Sequence, residues 1–459
     1  MSAPARGTDR WGDRLPRRLG LWSAVAVAVG STIGSGIFRT PAGIAQQVGD
    51  VPLFLLGWVL GGAVALAGAL TYAELAALYP RSGGIYVFIR EAFGPLPAFL
   101  FGWAELLIIR PGAYGAISIT SAAYTLRLLG LDPAAPVAGL PVRAEQLLAA
   151  GYVVVVAVVN SFGIHRGAVL QNLSTAFKVG ALVALILLGV AFGGGRWPEL
   201  FAERAVVGLS PFLVAMVSIL WAYDGWGDLA FVGGEVRDPE KNLPRALVLG
   251  AGSVVALYLA ANLVYLHLIP IAAMRGAELV AADAARLLIG PAGAVAVSAA
   301  VAVSTFGTLN GSMMTAPRIF FAMAEDGLVP RAIARVHRGS GAPANAVVLA
   351  AVLGTVFVLV RSFTQLAEQF VIGIWPFYAL AVAAVFVLRR RPGLGRPYPA
   401  PGYPWVPALF LVGSLFLLGN YLVSQPLLFL LDVAVILAGV PVYRVWTRRR
   451  ARPRAVTAP

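Results

Sequence analysis

Long apolar segments separated by short polar stretches repeat along the whole chain. An α-helix needs about 20 predominantly apolar residues to cross a lipid bilayer, and each of these segments is of that order. The pattern therefore predicts an all-α polytopic membrane protein with about twelve transmembrane helices. We place the spans at residues 19–47, 52–79, 96–127, 144–163, 168–192, 209–234, 243–269, 291–323, 343–361, 366–388, 404–423 and 427–446.

The composition also indicates a membrane protein. Of the 459 residues, 59% are hydrophobic and only 12% are charged, whereas about a quarter of the residues of a soluble domain are charged. Residues 1–18 are polar and basic, and the apolar run that follows is too long for the core of a cleavable signal peptide. The absence of cysteine excludes disulfides and thiolate metal sites.

Basic residues test the arrangement of the spans. The net charge of +14 could suggest a nucleic-acid partner, but the arginines flank apolar runs, as membrane topology requires. With the N-terminus inside, 24 lysines and arginines fall on the cytoplasmic side and 7 outside. We therefore expect a multi-pass protein of the plasma (inner) membrane with both termini cytoplasmic, in contact with the lipid bilayer and with no nucleic acid. The other four basic residues lie within spans: Arg39, Arg110, Lys178 and Arg318.

The first span contains a run of small residues that is poor helix. Glycine and small hydroxyl side chains both disfavour a helix interior, and irregular backbone at membrane depth must be buried or line a watery cavity. A half-helix that starts at Ile37 would point free N–H groups into that cavity and could receive an anion. Alternatively, the glycines let neighbouring helices approach closely. The run is Gly30, Ser31, Thr32, Ile33, Gly34, Ser35 and Gly36.

A second interruption comes five spans later, at residues 220–228. Asp224, Gly225, Gly227 and Asp228 are poor residues for a membrane helix, and aspartate at this depth is costly. Matching interruptions in two five-helix halves indicate an inverted-repeat transporter that binds its substrate between the halves. The alternative is a kinked helix in which one aspartate caps the lower part.

Several motifs, in this order and spacing, resemble the amino acid–polyamine–organocation (APC) superfamily over nearly the whole chain. The resemblance is closest to the L-type amino acid transporter (LAT) branch and its bacterial relatives. The motifs are GSGIFRTP at 34–41, YAEL at 72–75, PRSGG at 80–84, WAELLIIRP at 103–111, AYDGW at 222–226, DPEKNLPR at 238–245 with Glu235, STFG at 304–307, and Asn310 with Gly311.

The resemblance implies a LeuT-like fold of two inverted five-helix repeats with two additional C-terminal helices. On this chain the expected divisions are a cytoplasmic tail at 1–18, the first repeat at 19–194, the second repeat at 209–390, peripheral helices 11 and 12 at 404–446, and a basic cytoplasmic tail at 447–459.

The resemblance also implies that an amino acid binds between the two breaks. Amide groups from Ser31 to Gly36 would hold its carboxylate, and backbone carbonyls would face its amino group, because broken helices offer both donors and acceptors. Trp221 would be the outer gate, or else an ordinary packed aromatic. The carbonyls belong to Ile33, Trp221, Ala222 and Asp224, and the second break also includes Tyr223 and Gly225.

Lys178 lies about midway along an apolar span, where a cation is costly unless it meets acceptors. In LAT-like relatives a lysine at this place lies where sodium-coupled relatives bind an ion. The resemblance therefore implies an ion-site substitute whose ammonium bonds carbonyls near Gly30 and the hydroxyl of Ser304 or Thr305. Sodium-independent transport follows, by exchange or, since a buried lysine can release its proton, by proton coupling.

Two departures from the LAT pattern affect the substrate pocket. Gly227 stands where LAT members usually have asparagine, and Asp224 stands where many have glycine. The selectivity for substrate side chains is therefore not carried over. Animal LAT proteins are tied by a disulfide to a single-span partner, and a chain without cysteine has no such disulfide-linked subunit.

Two further carboxylates lie within spans. Glu74 is near the cytoplasmic end of its helix, so we expect it to pair with a basic residue of a loop. Glu105 and Arg110 are five residues apart, a poor spacing for a pair on one α-helix. We therefore expect each of them to be satisfied by another helix.

The sequence as a whole predicts a secondary transporter of amino acids, most simply of neutral ones, that works by alternating access. A cationic amino acid or polyamine permease is the alternative, with Asp224 or Glu105 as the counter-charge. An intramembrane enzyme would need a catalytic motif, and the chain has no His-Glu-x-x-His sequence or cysteine set. A channel would favour a continuous polar stripe rather than two local breaks. No cofactor or metal is implied.

Overall fold

The structure, a computed structural model, describes residues 15–162, 164–194, 206–277, 280–335 and 343–451. Within these ranges the chain is helical and contains isolated β-bridges but no β-strand. Most of the two predicted tails lies outside the described residues, so those segments stay predictions.

The first half of the chain contains the first break and a long third span. A π-helical segment, Glu105–Ile109, joins two α-helices of that span. The α-helices are α1 (Leu21–Thr32), α2 (Gly36–Gln47), α3 (Val51–Leu78), α4 (Ile85–Phe93), α5 (Pro95–Ala104), α6 (Arg110–Leu128), α7 (Ala144–Ser161) and α8 (Ile164–Phe192).

The second half contains the second break, which is followed by two 3₁₀ segments, Trp226–Phe231 and Gly233–Glu235. A third 3₁₀ segment, Arg331–Ala334, precedes α15. The α-helices are α9 (Leu209–Tyr223), α10 (Pro239–Leu268), α11 (Ile271–Met274), α12 (Val280–Ile289), α13 (Pro291–Thr315), α14 (Pro317–Glu325), α15 (Ala344–Val360), α16 (Phe363–Arg389), α17 (Trp405–Ser424), α18 (Pro426–Leu437) and α19 (Gly439–Ala451).

These helices confirm an all-α polytopic membrane protein. Ten helical segments of the described residues are long and apolar enough to cross a membrane, and α9 and α15 are shorter apolar helices. The central helices are largely buried, with 72% of the first candidate span inside the protein, whereas only 6% of the last one, α18 with α19, is inside. The last helix pair is therefore peripheral, and its apolar surface faces lipid.

The broken helices occupy the centre of the bundle. α2 packs on α9, α1 packs on α10 and α8, and α13 packs on α6 and α8. Both breaks are therefore enclosed by other helices, which is the condition under which irregular backbone is tolerated at membrane depth.

Some boundaries differ from the sequence prediction. The second half of the first span begins at Gly36, one residue before the expected start. The segment below the second break is 3₁₀ rather than α-helical, because glycine and aspartate are poor α-helix formers. The last helix continues past Trp446 to Ala451, so the basic tail begins later than expected. The amphipathic helix α4 lies between the second and third predicted spans, where we expected a connecting loop.

One face of the bundle is closed by a backbone link between the two halves. The amides of Arg18 and Leu19 both donate to the carbonyl oxygen of Glu235, at 2.9 Å, and the amide of Arg237 donates back to Leu19 at 2.8 Å. The side chain of Glu235 accepts from Arg318 Nε at 3.0 Å, and both groups are fully buried. The chain before α1 is thereby fixed to the segment that follows the second break.

Candidate functional site

The two breaks are in direct contact. The backbone of α2 approaches α9 so closely that a side-chain carbon on Gly36 would lie 2.4 Å from Cα of Ala222. At the other break Gly225 has a φ of +105°, and a side-chain carbon there would lie 2.7 Å from the backbone of Ser31. Glycine is required at both positions, at Gly36 for space and at Gly225 for space and conformation.

A cavity with about 420 Å³ of empty space lies where the breaks meet. The two breaks contribute Ser31, Thr32, Gly34, Ser35, Gly36, Trp221, Asp224 and Gly225 to its wall, while the surrounding helices contribute Arg110, Ala113, Ile117, Asp228, Thr308, Ser312 and Phe370.

The cavity has donors at the start of α2. The first N–H groups of an α-helix have no partner in their own helix, and the side chain of Ser35, at the N-cap, does not bond to them. The hydroxyl of Ser31 is also buried without a hydrogen-bond partner among the described residues. Together with the positive end of the α2 dipole, these groups can receive a carboxylate.

Four residues that we expected to bind substrate lie outside the cavity wall. Gly30 packs against α8, where a side-chain carbon would lie 2.1 Å from both Gln171 and Thr175. This is the close-packing role that we had left open for the glycines. Ala222 contacts Gly36, as described above. The remaining two residues, Ile33 and Tyr223, are engaged in hydrogen bonds to other groups.

Tyr223 points away from the cavity. Its hydroxyl donates to the carbonyl oxygen of Trp58 at 3.1 Å, and its ring packs on Trp58 and Tyr258. These aromatic contacts hold the end of α9 against α3 and α10, so the residue supports the break from behind.

Lys178 reaches the first break from α8. Its fully buried Nζ lies 2.9 Å from the carbonyl oxygen of Gly30, 2.7 Å from that of Ile33 and 2.8 Å from the hydroxyl of Thr308. The ammonium thus donates three hydrogen bonds, which is its full capacity. The Ile33 carbonyl oxygen, which we expected to face a substrate amino group, here accepts from Lys178 and from the hydroxyl of Thr308, and its contact with a substrate stays a prediction.

The hydroxyl that meets Lys178 belongs to Thr308, and the expectation of Ser304 or Thr305 was wrong. Thr308 Oγ1 lies 2.9 Å from the carbonyl oxygen of Ile33. Thr305 bonds only to carbonyls of its own helix, and the buried hydroxyl of Ser304 has no partner among the described residues. Thr308 lies one turn beyond them on α13, and only the packing of α13 against α8 selects it.

A buried ion cluster borders the cavity. Arg110 Nε lies 2.7 Å from a carboxylate oxygen of Glu105, and the guanidinium also reaches Asp228 at 3.3 Å and the hydroxyl of Ser312 at 3.0 Å. Our expectation that Glu105 and Arg110 would not pair was wrong. The π-helical turn between them has i→i+5 hydrogen bonds, which bring residues five apart onto one face.

Asp224 forms part of the wall through its side chain. Its backbone is extended, with φ −67° and ψ 157°, and ends α9. One carboxylate oxygen accepts a hydrogen bond from the hydroxyl of Tyr378 at 2.7 Å. Among the described residues, no basic side chain forms an ion pair with it. No local pattern marks Tyr378 as a site residue, because it lies in the apolar part of α16.

Trp221 lies near two cavities. It packs edge-on against Phe370, with ring centroids 5.2 Å apart, and both line the central cavity. Ser218 and Phe363, earlier on the same two helices, line a larger cavity of about 1440 Å³. The aromatic pair lines the central cavity only, and the larger cavity begins about one to two turns earlier on the same two helices. The wall of the larger cavity includes the charged residues Arg39, Arg127, Asp132, Arg143, Glu145 and Arg275.

Glu74 is paired as expected. Nε of Arg389, at the end of α16, donates to the Glu74 carboxylate at 2.9 Å. The same carboxylate accepts a hydrogen bond from the amide of Ala400 at 2.7 Å. This pair lies away from the cavity and holds α3 against the connection between α16 and α17.

Comparisons with known proteins agree with this architecture. The sequence model of the amino acid permease family matches residues 19–441. The chain is 34% identical to the serine/threonine exchanger SteT of Bacillus subtilis (strain 168), over 95% of this chain and 98% of the relative. It is 30% identical to b(0,+)-type amino acid transporter 1 of Homo sapiens, over 96% of this chain and 91% of the relative.

A third relative is large neutral amino acids transporter small subunit 2 of Homo sapiens, which is 33% identical over 99% of this chain and 84% of the relative. The matches extend over both breaks and over the helices that enclose the cavity. The chain therefore belongs to the amino acid permease family of the APC superfamily, and it is an amino acid transporter rather than an enzyme.

Proposed function

We propose that this chain is a sodium-independent transporter of neutral amino acids in the plasma membrane, working by exchange or proton coupling. The observation that carries the proposal is the contact of Lys178 Nζ with the carbonyl oxygens of Gly30 and Ile33. Carbonyls freed by a helix break are the groups that coordinate a sodium ion in broken-helix transporters. Here an ammonium group already occupies them, so no ion is needed to stabilise the break.

In this proposal the substrate lies between the breaks as a zwitterion. Its carboxylate accepts hydrogen bonds from the N–H groups at the start of α2, with Ser31 and Ser35 beside it. Its amino group faces the carbonyl oxygens at the end of α9. One of them, that of Trp221, also accepts a hydrogen bond from the amide of Asp224 at 3.2 Å. A zwitterion needs donors at one end and acceptors at the other, and the two breaks supply them.

The names of two relatives support a neutral amino acid as the cargo. One exchanges serine and threonine, and another transports large neutral amino acids. The ion cluster beside the cavity is consistent with a neutral side chain, because Arg110 is already paired with Glu105 and Asp228. Arg110 is the arginine that the described residues contribute to the wall of the central cavity, so its guanidinium is not free to attract an anionic side chain.

Asp224 favours a second candidate, a transporter of cationic amino acids. Its carboxylate lies in the cavity wall, accepts hydrogen bonds from the neutral hydroxyl of Tyr378 and the backbone amide of Gly225, and has no ion-pair partner among the described residues. An unpaired carboxylate in a dry site attracts a cation strongly. A substrate with a basic side chain could use this group as its counter-charge.

The proposal includes alternating access by two inverted repeats, residues 19–194 and 209–390, with cytoplasmic termini. The two breaks support it, because each lies in the first span of its half. The backbone link from Leu19 to Glu235 and Arg237 closes the face predicted to be cytoplasmic. The larger cavity begins about one turn before Trp221 on α9, away from that face, as an outward-facing entrance would.

Uptake into proteoliposomes tests the function. We expect labelled serine or leucine to enter vesicles that contain unlabelled neutral amino acid, at the same rate in sodium and in choline buffer. An imposed proton gradient distinguishes proton coupling from exchange. Excess unlabelled arginine separates the two candidate cargoes, because it competes only if cationic substrates bind. Uptake that requires sodium would contradict the role of Lys178.

A further inference from the structure

An apolar cavity with about 660 Å³ of empty space lies apart from the substrate site, between α5, α14, α15 and α19. Phe99 and Trp103 line it from α5, Phe320 from α14 and Leu349 from α15. Phe99 and Leu349 lie within about two turns of the helix ends that we predict to be cytoplasmic, and Trp103 lies one turn deeper, at the other end of α5. The cavity is therefore at the depth of the inner lipid leaflet.

The peripheral last helix pair forms one side of this cavity. Trp103 Nε1 donates to the carbonyl oxygen of Val435, and Trp446 Nε1 donates to that of Gly327, at 2.9 and 2.8 Å. At the bend between α18 and α19, Gly439 approaches so closely that a side-chain carbon there would lie 2.9 Å from Trp103. These three attachments hold α18 and α19 beside the bundle. They leave the space between α19 and the bundle unfilled.

Arginines flank this cavity at its cytoplasmic end. Arg331 and Arg335 belong to the loop that contributes Pro330 and Ile333 to the wall. Both side chains are exposed, and within the described part of the chain neither forms an ion pair. The acidic residues that end α14 do not neutralise them, since Asp326 pairs with Arg90 at 3.0 Å and Glu325 has another partner.

Two more exposed arginines, Arg444 and Arg448, lie on the helix that contributes Val442 and Trp446 to the wall. They too form no ion pair within the described residues. Each lies two positions from one of those lining residues and therefore on the other face of α19, so the arginines beside the cytoplasmic end of the cavity are Arg331 and Arg335. Basic pockets between transmembrane helices on the cytoplasmic side are the kind of site that binds anionic lipid headgroups.

We propose that this cavity binds one anionic phospholipid of the inner leaflet. An acyl chain occupies the space between Trp103, Leu349 and Trp446, where it gains van der Waals contacts that an empty space would not provide. The phosphate-bearing headgroup lies at the membrane surface against Arg331 and Arg335. The lipid then links α19 to the α14–α15 loop and completes the packing of a helix pair that is otherwise mostly exposed.

Quenching by brominated lipid tests the proposal on the full-length protein in neutral detergent. Phosphatidylglycerol and phosphatidylcholine, both brominated on their acyl chains, are titrated while tryptophan fluorescence is followed. We expect a saturable component of quenching with phosphatidylglycerol that phosphatidylcholine does not give. Because Trp103 lines the cavity, most of this component should disappear in the Trp103→Phe variant, with the remainder coming from Trp446.

Removing positive charge beside the cavity tests whether the anionic headgroup binds there. The double variant Arg331→Gln/Arg335→Gln should weaken the phosphatidylglycerol component about fivefold for each arginine removed. The matched control Lys241→Gln/Arg245→Gln removes two exposed charges from the start of α10, on the same predicted face, and should leave the phosphatidylglycerol component unchanged. All four positions are exposed, so these variants do not disturb the core.

Three outcomes would overturn the proposal. Equal quenching by the two lipids would mean that there is no preference for an anionic headgroup. A preference that survives Trp103→Phe undiminished would place the lipid elsewhere. Equal losses in the two double variants would mean that diffuse attraction to the basic face explains the effect.

Discussion

The ammonium group of Lys178 lies 2.7 Å from the carbonyl oxygen of Ile33, the first residue beyond α1. A lysine from one helix thereby satisfies a peptide group that a broken helix cannot satisfy itself. The same ammonium reaches the carbonyl of Gly30 and the hydroxyl of Thr308, so one side chain fixes the geometry of the whole first break.

Replacement of Lys178 by alanine should therefore disable transport. Three acceptors lose their donor, and a buried polar group without a partner costs about 1–3 kcal/mol. We expect initial uptake to fall about tenfold or more. The chain has a matched control in its other lysine, Lys241, which is exposed at the start of α10. Lys241→Ala should transport normally, and similar losses in both variants would argue against a specific role for Lys178.

Two threonines one turn apart on α13 should differ in their effect. Thr308→Val removes the hydroxyl between Lys178 and Ile33, so the apparent affinity for substrate should fall about tenfold. Thr305 Oγ1 bonds only to carbonyls of its own helix, which satisfy their other hydrogen bonds without it. Thr305→Val should change the affinity less than twofold. Concentration-dependent uptake measures both, and the reverse order would contradict the geometry.

Two glycines of α2 form another matched pair. At Gly36 a methyl group would lie 2.4 Å from Cα of Ala222, whereas at Gly43 nothing lies within 4 Å. Gly36→Ala must therefore separate the two breaks, and we expect uptake to be abolished. Gly43→Ala should retain uptake and add about 1 kcal/mol of helix stability. Both variants should be compared at equal membrane expression, and a fully active Gly36→Ala protein would mean that the breaks need not touch.

The buried ion cluster should matter for stability. Removing one partner of a buried pair costs about 3–5 kcal/mol, because it leaves a charge uncompensated. Glu105→Gln should lower the apparent melting temperature of the detergent-solubilised protein by several degrees. The more accessible pair of Arg81 and Glu91, with side chains 27% and 25% exposed and 3.7 Å between the charged groups, is the control, since Glu91→Gln should cost less than Glu105→Gln. Equal shifts would indicate that the cluster is not buried in solution.

Asp224→Asn distinguishes the two candidate cargoes. The amide keeps the size of the side chain and can still bond to Tyr378, but it removes the negative charge from the cavity wall. If the cargo is neutral, uptake of serine or leucine should persist within about threefold, because an exchange of one hydrogen-bond acceptor for another costs little. Loss of arginine uptake alone would establish the cationic alternative.

Much of the fold could be predicted because membrane helices carry their signal in continuous apolar runs, which do not depend on distant contacts. The breaks were equally visible, since Gly34, Gly36, Gly225 and Asp224 conflict with an apolar helix whatever surrounds them. Lys178 stood out for the same reason. Each of these residues violates the local pattern, and such violations mark functional sites.

Other parts depend on three-dimensional geometry that no local pattern encodes. The pairing of Glu105 with Arg110 requires a π-helical turn, and its residues Leu106 to Ile109 are ordinary apolar residues. The choice of Thr308 over Thr305 depends on the rotation of α13 relative to α8. Tyr378 meets Asp224 only because α16 packs beside the second break.

A cryo-electron microscopy map of the protein with a bound neutral amino acid would test the central claim most directly. The account predicts the carboxylate within hydrogen-bond distance of the amides at the start of α2, and the amino group beside the carbonyls at the end of α9. A carboxylate bound to Arg110, or a substrate located only in the larger cavity beyond Trp221, would contradict it.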